Sequence, residues 1–292
     1  MKILLIGASG CFGTELTKVC KREKIKLVSY PSKNLDITNF KDLNLKIKKI
    51  KPTIIINSSA IVGINQCETN YNKAFKINTV GALNLAKICK LNNIILVQTS
   101  THAVFDGTKN SSYNENDIPK PNNIYSGSKY LSEVFVKSIC KKHYIIRFPT
   151  LFGERKNSLL GFVDKVILSL EKNKNLKIAN DKIDSPTYAK DAAICLIQIL
   201  LKKKTYGIYH LANEGKISYF EFVKYIKKFL SSKSKIKPVK DKHFKSEGFK
   251  PLKTSLKSLR KTKMRKWKKA INEYLETRKI DEKIGWKNWV GR

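Results

Sequence analysis

An α/β fold with a doubly wound parallel sheet and a smaller C-terminal region is predicted from three observations on the 292-residue sequence. Short apolar runs alternate with longer amphipathic stretches through the first half of the chain. Those runs are too uniformly apolar for half-exposed strands, so they fit a parallel sheet covered on both faces. The first run ends in a glycine-rich turn that opens a helix, as in a Rossmann-type βαβ unit.

Lys2–Ile6, Lys26–Tyr30, Thr53–Ile56, Ile94–Ser100 and Tyr144–Phe148 read as strands. Glu15–Arg22, Phe40–Lys49, Ala74–Leu91 and Tyr125–Lys141 read as the helices between and after them. Residues 1–150 are therefore expected to form a dinucleotide-binding domain, and 151–292 mainly a substrate-binding region. In the latter, Ser158–Glu171 reads as a helix and the polar segment Asn180–Thr187 as a loop. A helix at Ala189–Lys202 and a strand at Gly207–Leu211 are expected to return to the main sheet. Ser218 and Glu221 have capping-box spacing and open a helix to about Leu230. A last helix is expected over Lys266–Leu275.

The formal charge of +36 raises the question of nucleic acid. Only seven of the 59 basic residues are arginine, the usual reader of bases and phosphates, and the lysines are spread over nearly every helix. Specific nucleic-acid binding is not expected, although Lys233 to Lys269 is dense enough to bind anions weakly. No apolar stretch reaches the length of a membrane span. The first apolar run is too short for a signal peptide and ends in a glycine turn. Cys11, Cys20, Cys67, Cys89, Cys140 and Cys195 form no Cys-x-x-Cys pair and sit beside no histidine at ligand spacing. They read as small buried hydrophobes of a cytoplasmic protein without a metal site.

Gly7-Ala8-Ser9-Gly10-Cys11-Phe12-Gly13 follows the first strand. Gly7 permits a tight turn, Gly10 lets a pyrophosphate approach the backbone, and Gly13 lets helix pack on strand. With Ser9, Cys11 and Phe12 these residues offer the free amides and positive end of a helix to phosphates. After the second strand come Ser32 and Lys33. No acid stands there to hold the ribose hydroxyl of NAD, whereas Ser32 and Lys33 suit a 2′-phosphate. The expected cofactor is NADP(H), with NADPH preferred over NADH.

Tyr125 and Lys129 are four apart on a helix and share a face. A phenol is a poor acid–base group at neutral pH, and an ammonium beside it is expected to lower its pKa. Lys129 is also placed to hold the nicotinamide ribose. Thr101 ends the fourth strand, at the edge where open α/β sheets bind ligands, and its hydroxyl suits a substrate carbonyl. Together Thr101, Tyr125 and Lys129 fit the protonation of a carbonyl oxygen as hydride reaches its carbon.

The Gly-x-x-Gly-x-x-Gly spacing resembles the extended short-chain dehydrogenase/reductase family. Within it the whole chain is most similar to the dTDP-4-dehydrorhamnose reductases. Besides the turn and the Tyr125–Lys129 helix, the carriers are Asn57-Ser58-Ser59-Ala60, Glu68, Asn78, Ser100-Thr101 with Val104-Phe105-Asp106-Gly107, Arg147, Asp181, Ser185-Pro186-Thr187 and Asp191. The resemblance implies that Ser58, Ser59 and Ala60 border the cofactor. It also implies that Asp36 and Ile37 lie near its adenine, and that Asn78 supports the site. A helix cap by Asp36 or Thr38 is the other role of that segment. The implied activity is reduction of a keto group on a nucleotide-linked 4-keto-6-deoxy sugar, in a protein for which a homodimer is one arrangement.

Several positions depart from the family pattern. His102-Ala103 stand for Asp-Tyr, Pro149-Thr150 for Ser-Trp, Ile61-Val62 for Tyr-Thr, and Asn65 for Asp. The resemblance makes Ile61, Val62, His102, Ala103 and Thr150 lining of the sugar pocket. A dehydratase of this fold needs an acidic pair after Thr101, which His102-Ala103 does not supply. The epimerase-reductases that make GDP-fucose need a cysteine near Ser100, and none lies between Cys89 and Cys140. A second reading from another class is a non-catalytic NADP-binding regulatory subunit of the same fold.

Overall fold

The computed structural model describes residues 1–31, 34–156, 160–260, 262 and 264–278. The chain runs β1 (Lys2–Ile6), α1 (Cys11–Arg22), β2 (Lys26–Tyr30), α2 (Phe40–Ile50), β3 (Ile54–Asn57), α3 (Ile64–Thr69), α4 (Tyr71–Ala74), a π turn (Phe75–Val80), α5 (Gly81–Leu91) and β4 (Ile95–Thr101). A 3₁₀ turn (His102–Val104), α6 (Ile124–Ile139), β5 (His143–Phe148), β6 (Leu151–Phe152), α7 (Phe162–Glu171), β7 (Leu176–Ala179), β8 (Ile183–Asp184) and β9 (Thr187–Tyr188) follow. Then come α8 (Ala189–Leu201), β10 (Gly207–His210), β11 (Ile217–Ser218), α9 (Tyr219–Phe229), β12 (Ile236–Val239) and α10 (Trp267–Thr277).

The central sheet has the order β10-β5-β4-β3-β1-β2 and all its pairings are parallel. Alternate residues of each strand feed opposite cores, as the period of two requires. Ile3, Leu5, Ile54, Ile56, Val97 and Ile146 pack with Leu16 and Val19 of α1 and Leu196 and Ile199 of α8. Leu4, Ile6, Ile55, Leu96 and Ile145 face the other way, against Leu43 and Ile47 of α2, Leu85 and Ile88 of α5 and Val136 of α6. Both faces are covered, which is why the strands lack polar alternation. The strand order reverses between β1 and β3, because β2 lies on one side of β1 and β3 on the other. The turns after β1, β3 and β4 open at that switch point, where such sheets bind ligands.

The expected return to the sheet is found. α8 lies on α1, and β10 pairs with β5 from Gly207↔Tyr144 to His210↔Arg147. The rest of the C-terminal part has a core of its own. Phe152, Ile167, Leu176, Ile178, Phe222, Ile226, Trp267 and Ile271 gather α7, α9, α10 and β7.

Three expected elements and one expected helix cap differ. The stretch Asn180–Thr187 is not wholly loop, since β8 pairs antiparallel with β11 and β9 pairs parallel with β6. Two-residue strands are too short to leave a periodic pattern. The helix expected over Ser158–Glu171 begins in part outside the described residues, which resume at 160; the described helix runs from Phe162 with Gly161 as its cap, whose amide is bound by Asp164 Oδ2 at 2.9 Å. Ala74–Leu91 is helical but carries the π turn at Phe75–Val80. Of the expected capping box only one arm forms: Ser218 accepts from the Glu221 amide at 3.2 Å, while the Glu221 carboxylate faces Lys224 at 3.7 Å.

Among the described residues no helix is long and apolar enough to cross a membrane, and no group of three or more His, Cys, Asp or Glu is placed to hold a metal. All six cysteines are free thiols.

Candidate active site

The glycine turn is built as its spacing requires. Gly7 has φ +87°, and a Cβ there would stand 2.5 Å from the Ser58 backbone. A Cβ on Gly13 would stand 2.4 Å from the Gly7 carbonyl oxygen. Gly10 is different, because a Cβ there meets the chain only at ordinary contact, 3.7 Å from Gly7 O. The protein's own packing thus demands glycine at 7 and 13, and leaves open space over Gly10 for another molecule. The first amides of α1 have no partner within the helix. The side chains beside them turn inward. Phe12 is buried with its ring 4.7 Å from Phe148, and Cys11 Sγ donates to Gly153 O at 3.5 Å. Burial pushes the Cys11 thiol up to about 12. Cys11 and Phe12 therefore offer amides, not side chains. Ser9 O accepts from the Lys156 amide at 3.0 Å, which lays the segment after β6 across the turn.

The expected 2′-phosphate contacts Ser32 and Lys33 lie outside the described residues. Asp36 is exposed and accepts from the amide and hydroxyl of Thr38, both at 2.8 Å; these bonds hold its carboxyl below the usual range. Asp36 and Thr38 do not cap α2, since Asn39 does, accepting from the Asp42 amide at 3.2 Å. Ile37 is buried, and Asn84 of α5 donates to the carbonyls of Ile37 and Thr38 at 3.0 and 3.1 Å.

At the end of β3, Asn57 Oδ1 accepts from the amide and hydroxyl of Ser59 at 3.2 and 3.0 Å. Ser58 and Ala60 stay partly exposed beside the glycine turn. Asn78, in the π turn, accepts from Ile61 N at 2.8 Å and donates to Ile61 O and to Ser128 Oγ, both at 3.0 Å. One amide side chain so ties the loop after β3 to α6. Val62 is exposed.

α6 carries Tyr125 and Lys129 toward the end of β4. Its N-terminus is held by Asn123, which accepts from Ser126 N at 2.8 Å, and by Glu68, which accepts from Ile124 N at 2.8 Å. Lys129 is 2% exposed and donates to Thr99 O at 2.7 Å. Burial pulls its ammonium down to about 8, against the attraction of Glu133 one turn further on. Tyr125 is brought beside Thr101, whose hydroxyl also accepts from Ala103 N at 3.1 Å. Burial pushes the phenol up to about 12, and the Thr101 hydroxyl offsets this only in part. The lowering expected from Lys129 is not found. The ammonium is turned onto the Thr99 carbonyl, and desolvation of the phenol dominates. Ser100 Oγ, next to Thr101, is buried without a hydrogen-bond partner among the described residues.

Two groups at this centre escaped the sequence reading. Cys67 is fully buried, close enough to Tyr125 and Lys129 to act on both electrostatically. Glu133 forms a buried pair with Arg147 of β5, at 2.9 Å from Nε to Oε1 and 2.6 Å from Nη2 to Oε2. Its place four residues after Lys129, on the same helix face, was a readable signal.

Of the expected pocket residues, His102 and Thr150 meet at a further missed residue, Asp184. His102 Nδ1 lies 3.0 Å from Asp184 Oδ1, and Thr150 N donates to Asp184 Oδ2 at 2.9 Å. Burial would raise the Asp184 carboxyl, but His102 and these hydrogen bonds hold it below the usual range. Ala103 is buried behind Thr101. Thr150 Oγ1 also pairs with Tyr219 Oη at 2.8 Å. Tyr219 in turn lines a cavity of about 640 Å³ walled by Phe162, Phe244, Lys177, Lys182 and Lys250. Burial lowers the Lys182 ammonium, in part offset by Asp241.

Comparison with known proteins gives a consistent picture. Residues 1–280 match the family described as the RmlD substrate binding domain. The spore coat polysaccharide biosynthesis protein SpsK of Bacillus subtilis is 29% identical over 281 residues, covering 95% of this chain and 98% of that one. A dTDP-4-dehydrorhamnose reductase of Aggregatibacter actinomycetemcomitans is 34% identical over 229 residues, 76% of each chain. Among solved structures, the dTDP-4-dehydrorhamnose reductase of Bacillus anthracis in complex with NADP superposes with a TM-score of 0.87 at 33% identity, covering 95% of this chain and 100% of that one.

Removing one partner of a buried ion pair leaves the other charge uncompensated. Glu133→Gln should therefore destabilise the protein by about 3 kcal/mol in urea unfolding. A loss below about 1 kcal/mol would show that Arg147 does not depend on this partner.

Proposed function

Because the chain belongs to the family of the RmlD substrate binding domain, we propose that it is an NADPH-dependent oxidoreductase that reduces a keto group on a nucleotide-linked 4-keto-6-deoxy sugar. The observation that carries this reading is the meeting of Thr101, Tyr125 and Lys129 at the switch point of the sheet, beside a glycine turn with open space over Gly10. The fold's other sequence reading, a non-catalytic NADP-binding subunit, is not favoured, since relatives that match most of this chain are named as reductases.

When bound, NADPH supplies hydride to the carbonyl carbon. The residues of the chain do the rest. Tyr125 is protonated throughout the neutral range, because its pKa stands at about 12. That is the state a reductase needs, since the oxygen of the new alcohol requires a proton. Thr101 orients the oxygen and steadies the phenolate left behind. Lys129, half-committed to Thr99 O, keeps further N–H bonds for the cofactor ribose. Gly7, Ser9, Gly10, Cys11, Phe12 and Gly13 hold the pyrophosphate through backbone amides, with Ser58, Ser59 and Ala60 alongside.

On this reading residues 1–150 with α8 and β10 form the cofactor half, and the remainder of 151–292 binds the sugar nucleotide. The lysine-walled cavity beside Tyr219 suits its anionic nucleotide end, and Ile61, Val62, His102, Ala103 and Thr150 border the sugar. Six free thiols fit the reducing cytoplasm. The diffuse lysine charge fits no specific nucleic acid.

Tyr125→Phe should lower kcat by about 10²–10⁴-fold on a nucleotide 4-keto-6-deoxy sugar, the usual worth of a general acid. NADPH binding by calorimetry should change by well under about tenfold, and NADH should bind more weakly than NADPH. Near-normal turnover of this variant would remove the assignment of Tyr125. The pH dependence has a definite sign. Lys129 is charged below its pKa of about 8 and neutral above it, so kcat/KM for NADPH should fall as pH rises through that value. A profile flat to about pH 10 would show that the ammonium does not hold the cofactor.

A further inference from the structure

From Lys240 to Lys266, between β12 and α10, the described residues form no strand or α-helix, only a 3₁₀ turn at Asp241–His243 and isolated bridges. Irregular stretches this long are uncommon in a compact domain and are often functional. The later part is anchored. Lys253 bridges Ile183, Leu256 bridges Tyr113, and the turn at Gly107 lies against Pro251 and Leu252. Ser246–Phe249 is held differently. Ser246 Oγ and Glu247 N both donate to Oδ1 of Asn65 in α3, at 2.9 and 3.1 Å. Asn123 Nδ2 donates to Phe249 O at 2.9 Å. Gly248 lies directly on Glu68, since a Cβ there would stand 2.5 Å from Glu68 Oε1. These contacts are at the surface, and Phe249 is 56% exposed. A segment held by exposed hydrogen bonds belongs to the low-stability end of a fold.

The segment joins two places that matter. On one side Phe244 and Lys250 wall the cavity beside Tyr219, and Lys250 is fastened to Asp241 Oδ2 at 2.9 Å. On the other side the segment rests on the two side chains that cap α6. Glu68 accepts from Ile124 N and Asn123 Oδ1 accepts from Ser126 N, both at 2.8 Å. Those two amides flank Tyr125. Asn123 therefore faces the segment with its nitrogen and the helix with its oxygen, while Gly248 backs the Glu68 carboxylate.

We propose that Ser246–Phe249 is a strap that opens to admit the sugar nucleotide and closes on α3 with Asn65 as its latch, and that closure positions the first turn of α6 and with it Tyr125. The proposal rests on the sugar-nucleotide reading of the cavity. A ligand that touches Phe244 and Lys250 favours the closed strap, and the closed strap steadies both caps of α6. The coupling is reciprocal, because each event is favoured only in the state the other selects. Asn65, Glu68 and Asn123 are positioning residues in this device.

Hydrogen exchange, read by mass spectrometry on peptides covering 245–250 and 123–127, tests the latch and the coupling. In the ligand-free protein, Asn65→Ala should speed exchange in 245–250 by about tenfold, and in 123–127 by a smaller factor. Asn65→Asp keeps the acceptor and should exchange as the wild type does. Gly248→Ala, which wedges the strap off Glu68, should act like Asn65→Ala. Wild-type exchange of 245–250 in both alanine variants overturns the latch, and wild-type exchange of 123–127 overturns the coupling. dTDP-4-dehydrorhamnose with NADP⁺, which has no hydride to give, should slow exchange of 245–250 in the wild type. Asn65→Ala should raise KM for this sugar nucleotide by about twofold or more while NADPH affinity stays unchanged. Binding of the probe without slowed exchange of 245–250 overturns the strap. If calorimetry shows that the wild type does not bind the probe, the sugar-nucleotide reading is what fails, and the ligand-free comparison still decides the latch and its coupling to α6.

Discussion

The buried pair between Glu133 of α6 and Arg147 of β5 fixes where α6 lies on the sheet, and the reacting groups follow from that placement. Both side chains are at most 3% exposed, and two hydrogen bonds join them. Such a pair is costly to desolvate and returns that cost only when its geometry is exact, so it tolerates little sliding of helix against strand. It anchors the far end of the helical face that carries Lys129. Asn123, Glu68 and Asn78 anchor the near end. Between them Lys129 meets Thr99 O and Tyr125 meets Thr101. The same pair has an electrostatic reach, because Glu133 supports the charge on Lys129 that burial would otherwise weaken further.

Much of this was legible in the sequence, for physical reasons. β1, β3 and β5 are buried on both faces, so their apolar runs stand out against any surface pattern. Gly7 and Gly13 are demanded by the backbone itself, which is why their spacing carried so much. Tyr125 and Lys129 share a helix face wherever the helix lies. The parts that were not legible depend on tertiary contact. β6, β8, β9 and β11 are two residues each and exist only because each has a partner strand. Asp184 read as a loop acid because nothing local shows that it faces His102, 82 residues away in the chain.

The direction of the Tyr125 shift teaches the same point about electrostatics. Spacing on a helix brings an ammonium and a phenol to one face, and proximity alone argues for a lowered phenol. Burial acts on both groups at once. It raises the phenol to about 12 and lowers the ammonium to about 8, each toward its neutral form. For a reductase this serves the forward reaction, in which the phenol must arrive with its proton.

Two of the pocket departures, His102 and Thr150, share one partner, Asp184. Asp184 is desolvated and needs its lone pairs filled. His102 fills one, and the Thr150 amide fills another. Thr150 then passes the network on to Tyr219 through its hydroxyl, at the mouth of the lysine-walled cavity. Ala103 keeps clear of this chain, turning its amide back to Thr101. Replacing the His102 side chain would take one donor from the buried Asp184, and replacing that of Thr150 would take the partner from the Tyr219 hydroxyl, at about 1–3 kcal/mol each. They therefore hold together as a set. On the proposed assignment, the set connects the carbonyl end of the site to the nucleotide end without passing through Tyr125 or Lys129. The hydrogen bonds of His102 and Thr150 thus form a system separate from the bond of Lys129 to Thr99, and the two come nearest in sequence at Thr101 and its neighbour His102.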